Sequence, residues 1–373
     1  MKTVKISSLQ MAMLMYPTIV ATAILSVPNL TATYANQDLW ISPIFASIIG
    51  FLTVFISVRL HKLYPEKTVI QFSEQIIGRI PGKILGLAFL FFYIQSTGGI
   101  TRSYAEFIVS SFLFQTPIIV VIVSMVLLCA FAVYGGLEVL GRITQVLFPL
   151  FFVPLFLLII LLSPEYEFSN IFPILERGLL PPIKGAVVPG GWFSEFFITI
   201  FLLPFLADKK KGSKYGILTV FAVMITLVVV NLIVLFILGN TTSSKTYPLM
   251  NISRYISIAD FFENLESVTM AIWILGTFVK ISVFFYVVVL GTAQWLNIED
   301  YRPLVWPIGI LIVEFSFWAV PSSMAFIHYE ITAFPFYSVT IQTIIPLFLL
   351  GIAFFRNKNR NRNKKKETNS VYK

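Results

Sequence analysis

Cysteine, histidine and charge are all scarce in this chain of 373 residues. The one cysteine, Cys129, excludes a disulfide framework and any multi-cysteine metal site. The two histidines, His61 and His328, stand far apart and offer no ligand cluster for a metal or a catalytic centre. No nucleophile–base pair and no glycine-rich phosphate loop is recognisable, so the sequence predicts no enzyme, no metal and no cofactor. Charged residues make up 12% of the chain, about half the roughly 25% of a soluble domain. Hydrophobic residues reach 57%, and the mean hydropathy is +0.86. A water-soluble core cannot absorb that excess.

Apolar runs recur from end to end, each long enough to cross a ~30 Å hydrocarbon layer. They predict an all-α polytopic membrane protein with ten spans, at about 8–33, 41–60, 84–112, 118–137, 144–163, 184–206, 215–239, 268–295, 303–320 and 333–355. The first run is too long, and too polar on its flank, for a cleaved signal peptide. A single membrane domain, 1–355, then precedes a basic tail, 356–373, which has no core-forming residues and is expected to be disordered. The net charge of +9 invites a nucleic-acid partner, but its distribution decides otherwise. With the N-terminus in the cytoplasm, 21 of the 27 lysines and arginines fall in inner segments or the tail. That asymmetry predicts both termini cytoplasmic. Anionic lipid explains the tail, and nucleic acid is not needed.

Interruptions fall in the first and sixth spans. In MLMYPTIVATAILSVPNL, Pro17 and Pro28 bracket Ala21, Thr22 and Ala23; VVPGGWFSEFFITIFLLPF carries Pro189, Gly190 and Gly191. Proline removes a helix donor and clashes with the preceding turn, and paired glycines let the backbone leave the helix. Breaks at corresponding places in two halves predict an inverted-repeat transporter fold, with repeats at about 8–163 and 184–355. Prolines that merely kink these two helices are the alternative.

Charges inside the spans are few. Lys280 lies in TFVKISVFFYVVVL, about ten residues from either end of its span, or ~15 Å at 1.5 Å per residue. A lysine stem cannot bridge that distance, so its ammonium is expected to face protein or trapped water. Glu195, four residues past Gly191, is about as deep; it can pair with Lys280, take a proton or bind an amino group. Arg102 and Glu106 are one turn apart and able to meet, as an intrahelical pair, a subunit contact or a gate.

The stretches ATAILSVP, ITRSYAEFI, YGGLEVLGRITQVLFP and FFENLESV running into WILGTFVKISVFFYV, in this order and over about Ser7 to Arg356, resemble the GerAB-type spore-germination permeases. These are the B subunits of nutrient-germinant receptors in the amino acid–polyamine–organocation superfamily. The resemblance implies a LeuT-like fold of five plus five helices, a small-molecule site near the midplane, companion A and C subunits and residence in the spore inner membrane. It departs at one place: related permeases carry a Gly-x-Gly-like break in span 1, and here Ala21-Thr22-Ala23 stands.

In the implied fold span 8 lies beside span 1, where sodium-coupled relatives hold a cation. A fixed Lys280 ammonium would replace that ion and bond carbonyls freed at Ala21 to Ala23, or would be paired for packing alone. The first role predicts a germinant response that needs no sodium and is lost in Lys280→Met. Ligand-binding candidates are Thr22, Ala23, Ile24 and Ser26 from span 1, Phe92, Tyr93 and Ser96 from span 3, Gly190, Gly191, Phe193 and Ser194 from span 6, and Thr277 beside Lys280 in span 8. The outer segment with Ile252, Tyr255, Ile256, Phe261 and Phe262 is expected to form a short interfacial helix over the mouth. Three functions are open: a receptor subunit sensing an amino acid or similar nutrient, a proton- or sodium-coupled amino acid transporter, and a ligand-gated ion or water channel. One architecture hosts all three.

Overall fold

The computed structural model describes residues 5–254, 257–258, 262–263, 266–319 and 323–356. The first half of the chain comprises α1 (Ser8–Ala35), α2 (Ser42–Leu63), a short α3 (Val69–Ile77), α4 (Arg79–Ser111), α5 (Ile118–Gly135) and α6 (Leu137–Leu161). The second half begins with an irregular span built from α7 (Leu180–Gly185), α8 (Val187–Ser194) and α9 (Thr199–Leu202). It continues with α10 (Lys209–Leu238), a short α11 (Pro248–Ser253), α12 (Glu266–Leu296), α13 (Val305–Trp318), α14 (Ser323–Thr332) and α15 (Phe334–Val339). A π turn at Thr340–Ile344 carries α15 into a helical stretch reaching Arg356. Two two-residue strands, β1 (Ser257–Ile258) and β2 (Phe262–Glu263), pair antiparallel between α11 and α12.

Among the described residues, eight helical stretches are long and apolar enough to cross a membrane. The first of them, Ser8–Leu63, contains both α1 and α2, and α13 has only 14 residues, which is where the structure differs from a simple count of ten runs. Apolar side chains cover the outside: Phe131, Val146, Ile310 and Phe348 are all exposed. Such a belt suits hydrocarbon and not water, and the protein is an integral membrane protein. The stretch 180–205 and α12 are by contrast almost wholly enclosed. With α1 they form the centre, since α1 packs on both α12 and α8.

Helix ends follow local chemistry. Ser7 caps α1 by accepting from the Gln10 amide, while the Gln10 side chain accepts from the Ser7 amide, a reciprocal capping box. The junctions between α3 and α4 and between α5 and α6 turn on Gly78 (φ +100°) and Gly136 (φ +94°), where other residues would be strained. Arg356, expected to begin the free tail, instead donates to the carbonyls of Gln75 and Ile76 and so caps the end of α3. The rest of the tail, 357–373, lies outside the described residues.

The start of α1 is tied to the segment between α9 and α10. The Ile6 amide donates to the Phe205 carbonyl (3.0 Å) and the Ala207 amide to the Ile6 carbonyl (2.9 Å). Asp208 accepts at Oδ1 from the Ser8 amide (2.7 Å) and the Ser8 hydroxyl (2.8 Å). Burial pushes the Asp208 carboxyl up, but these bonds and the nearby Lys211 outweigh it and hold the group below the ordinary aspartate value. The stabilisation is therefore complete above the unfolded-state value, about 3.9, and vanishes as pH falls through the lower folded-state value. Acidification from about pH 5 to about pH 3 is expected to lower the thermal midpoint of the detergent-purified protein more than that of Asp208→Asn. Equal pH dependence in the two would remove the tie from the list of stabilising contacts.

Candidate functional site

The proline-bracketed turn of the first span stays helical: α1 runs from Ser8 to Ala35 with Pro17 and Pro28 inside it. A proline deletes one donor without unwinding the turns beyond it, and alanine, the best helix former, keeps Ala21 and Ala23 in register. No backbone is opened there for Lys280. The side chain of Thr22 supplies an acceptor instead.

The sixth span does change its winding, but further along than Pro189-Gly190-Gly191. Those three residues lie within α8, and a 3-10 turn follows at Glu195–Ile198. The glycines serve close packing. A Cβ on Gly190 would fall 2.7 Å from Ile49 Cδ1, and one on Gly191 would fall 2.7 Å from the Phe334 ring. The 3-10 turn presents Glu195 to α12.

There Lys280 Nζ donates to Glu195 Oε2 (2.8 Å), Glu195 Oε1 (2.9 Å) and Thr22 Oγ1 (2.8 Å). The ammonium also lies 5.4 Å from the centre of the Phe284 ring. Thr22 Oγ1 accepts a second bond from Trp192 Nε1 (3.0 Å). Lys280 and Glu195 are both buried, with relative exposures of 1% and 3%. Three elements, α1, α12 and the α8–3-10 junction, are thereby joined at one charge pair.

This pair forms one wall of a cavity whose space for the centres of water molecules is about 70 Å³. At ~10–15 Å³ per water that is room for roughly five waters, or a comparably small solute. Thr22, Leu25 and Ser26 line it from α1; Gln95, Ser96, Gly99, Ile100 and Ser103 line it from α4. Tyr247 precedes α11, Trp273 comes from α12, and Ala319, Tyr329, Glu330 and Phe334 close the remaining side. The segment expected to lie over the mouth thus reaches the cavity. Tyr247 lines it, and Leu249, Met250 and Ile252 are buried where α11 packs on α1, α10 and α12. Tyr255, Ile256 and Phe261 lie outside the described residues.

Of the residues singled out from sequence, Thr22, Ser26, Ser96, Glu195 and Lys280 line this cavity. The others stand around it. Ala23 and Ile24 are buried on other faces of α1, and Phe92 packs edge-on to Tyr337 at 5.0 Å. Phe193 fills the space above Gly50. Thr277 is fully buried, and its hydroxyl has no partner among the described residues.

Tyr93 and Ser194 belong to a second polar cluster. The Tyr93 hydroxyl donates to Gln342 Oε1 (2.9 Å), and Gln342 Nε2 donates to Ser338 Oγ (2.8 Å) and Ser194 Oγ (3.2 Å). Both serines share the Gly191 carbonyl, at 2.7 and 3.0 Å. A buried network satisfied in this way fixes helix positions; it joins α4, α8 and α15 and points no free group at the cavity.

Arg102 and Glu106 meet at 2.8 Å, with the guanidinium also over the Phe317 ring. Sequence reasoning passed over Glu330, Trp192, Trp273 and Gln342. Glu330 falls just before the last apolar run, where an acidic residue looks like a loop charge. Among the described residues, no three His, Cys, Asp or Glu side chains gather as they would around a metal.

The fold is that of known solute carriers. A structure titled as the substrate-bound outward-open state of a Na+-coupled sialic acid symporter superposes with a TM-score of 0.67 at 13% identity, over 91% of this chain and 79% of that one. MhsT in complex with L-phenylalanine gives 0.68 at 13% identity, over 95% and 89%. These likenesses establish a LeuT-type fold.

In sequence, the chain is 23% identical over 332 residues to spore germination protein KB of Bacillus subtilis, covering 87% of this chain and 88% of the relative. It is 26% identical to spore germination protein YndE of the same organism, over 86% and 88%. Spore germination protein XB of Bacillus anthracis matches at 25% over 68% and 72%. The family model described as Spore germination protein spans residues 5–324, and the chain belongs to that family, the spore germination permeases.

Proposed function

We propose that this protein is the germinant-binding, permease-like subunit of a spore nutrient receptor, sensing an amino acid or a similar small nutrient. The observation that carries this reading is the cavity between α1, α4, α8 and α12, lined by Thr22, Ser26 and Ser96 and floored by the Lys280–Glu195 pair. It is small, partly polar and central, as a site for one small solute should be. Its setting in a germination family supplies the context. The membrane domain is then two inverted repeats, 8–163 and 184–355. It lies in the spore inner membrane with both termini on the core side, and A and C subunits complete the receptor.

Proton- or sodium-coupled amino acid transport is the second reading, favoured by a fold shared with a symporter and by a buried titratable pair. Liposomes containing the full chain discriminate the two. Labelled amino acid is expected to bind without being concentrated, and spores lacking the protein should lose their response to at least one nutrient mixture. Concentrative uptake would replace the sensor by the transporter, and unchanged germination on every mixture would end the receptor assignment.

A further inference from the structure

We infer that the ligand is held through an ammonium group, and that Glu330, not Lys280, is the charged side chain that meets it. The inference rests on the nutrient-site reading above and narrows its ligand to amine-bearing solutes.

Lys280 looks at first like the group to hold a ligand carboxylate, but it has nothing left to offer. An ammonium carries three donors, and three acceptors, Thr22 Oγ1 and both oxygens of Glu195, already stand at 2.8–2.9 Å. The pair is closed in hydrogen bonds and neutral in charge. No other lysine or arginine lines the cavity among the described residues. An anionic ligand would find no free cation.

Glu330 is in the opposite condition. It lines the same cavity. Among the described residues no hydrogen bond and no ion pair is made by its side chain. Counting both carboxylates and the one ammonium, the cavity has an excess of one negative charge when all are ionised. A carboxylate in a largely apolar cavity gains most from a cation that brings its own donors.

The walls point the same way. Trp192, Tyr247, Trp273, Tyr329 and Phe334 surround the space, and aromatic faces attract ammonium groups by about 0.5–2 kcal/mol each. Hydroxyls of Ser96 and Ser103 remain for the polar remainder of a solute. A carboxylate with aromatic rings around it is a cation site; a ligand carboxylate, if present, is tolerated and not required.

The probes are alanine, valine and phenylalanine, each as the free amino acid, as its amide and as its N-acetyl derivative. The amide keeps the ammonium and lacks the carboxylate, and the N-acetyl form does the reverse. Binding to the purified full chain in nanodiscs is read by ligand-dependent shifts in thermal midpoint. Free amino acids and amides of at least one series are expected to bind, and the N-acetyl forms are not. Glu330→Gln should weaken amide binding roughly 10- to 100-fold, with unchanged elution on gel filtration. Should that variant fold poorly, Glu330→Asp serves: it retains the charge and should bind amides more weakly while still rejecting N-acetyl forms. N-acetyl compounds binding as well as amides, or a well-folded Glu330→Gln that binds amides normally, would overturn the inference and leave the nutrient site standing. Binding by none of the probes would remove both.

Discussion

Spores carrying Lys280→Met are expected to lose their nutrient response, and the purified variant to melt well below the original. The substitution leaves Glu195 enclosed at 3% exposure with both oxygens stripped of their partner. Breaking one side of a buried ion pair costs about 3–5 kcal/mol, because the remaining charge stays desolvated. Thr22 also loses one of its two donors, so the joint between α1 and α12 loosens where the cavity is formed. Combining Lys280→Met with Glu195→Gln removes both charges and should restore most of the midpoint, since replacing a whole buried pair is often nearly neutral. Because Glu330 is untouched, amine binding should return to within several-fold in the double variant. A single Lys280→Met that melts and germinates like the original would show that the pair contributes neither stability nor function.

Gly276→Leu should also lower both stability and binding, from a position that has no polar side-chain atom. Gly276 lies one helical turn before Lys280 on α12, and a Cβ there would come 2.6 Å from Ala21 Cβ and 2.6 Å from Phe151 Cε2. The Ala21 methyl is fixed to the α1 backbone and cannot rotate aside, so α12 must move off α1. Small residues at such crossings are what permit close helix packing in membranes. Overpacking costs typically 1–3 kcal/mol, and here the displacement also pulls Lys280 away from Thr22. Loss of ligand binding and a lowered midpoint are therefore expected together. Gly276→Ala should act in the same direction but less, and Ala21→Gly added to it should recover part of the loss by removing one of the two clashes. A Gly276→Leu protein that binds ligand with unchanged affinity would show that the α1–α12 spacing does not set the site.

The parts of this molecule legible in sequence are those with strong one-dimensional signals. Unbroken apolar runs disclosed the membrane helices, and Lys280 and Glu195 stood out because charge is so costly in such runs. Where the signal was local composition standing in for geometry, the reading shifted. Pro17 and Pro28 suggested an opened first helix, yet neighbouring turns held, and the change of winding appeared at Glu195–Ile198 in the sixth span. Tyr93 and Ser194 looked like ligand contacts, but their partner Gln342 is 249 residues from Tyr93 and carries no charge to draw attention. Glu330 was hidden because its value depends on what it lacks. Only three-dimensional neighbours reveal that Lys280 is already occupied and that Glu330 has no hydrogen-bond partner among the described residues.

The tie between Ile6, Ser8 and the 205–208 segment has a consequence for how the centre can move. It fastens α1 and the 180–205 stretch together at one tip, roughly 21–24 Å along α1 from Thr22 and roughly 15–20 Å along the sixth span from Glu195 at 1.5 Å per residue. Two rods pinned at one tip behave as tweezers. A tilt about that pivot grows with distance from it, so it would displace the cavity-lining Trp192 more than Phe205.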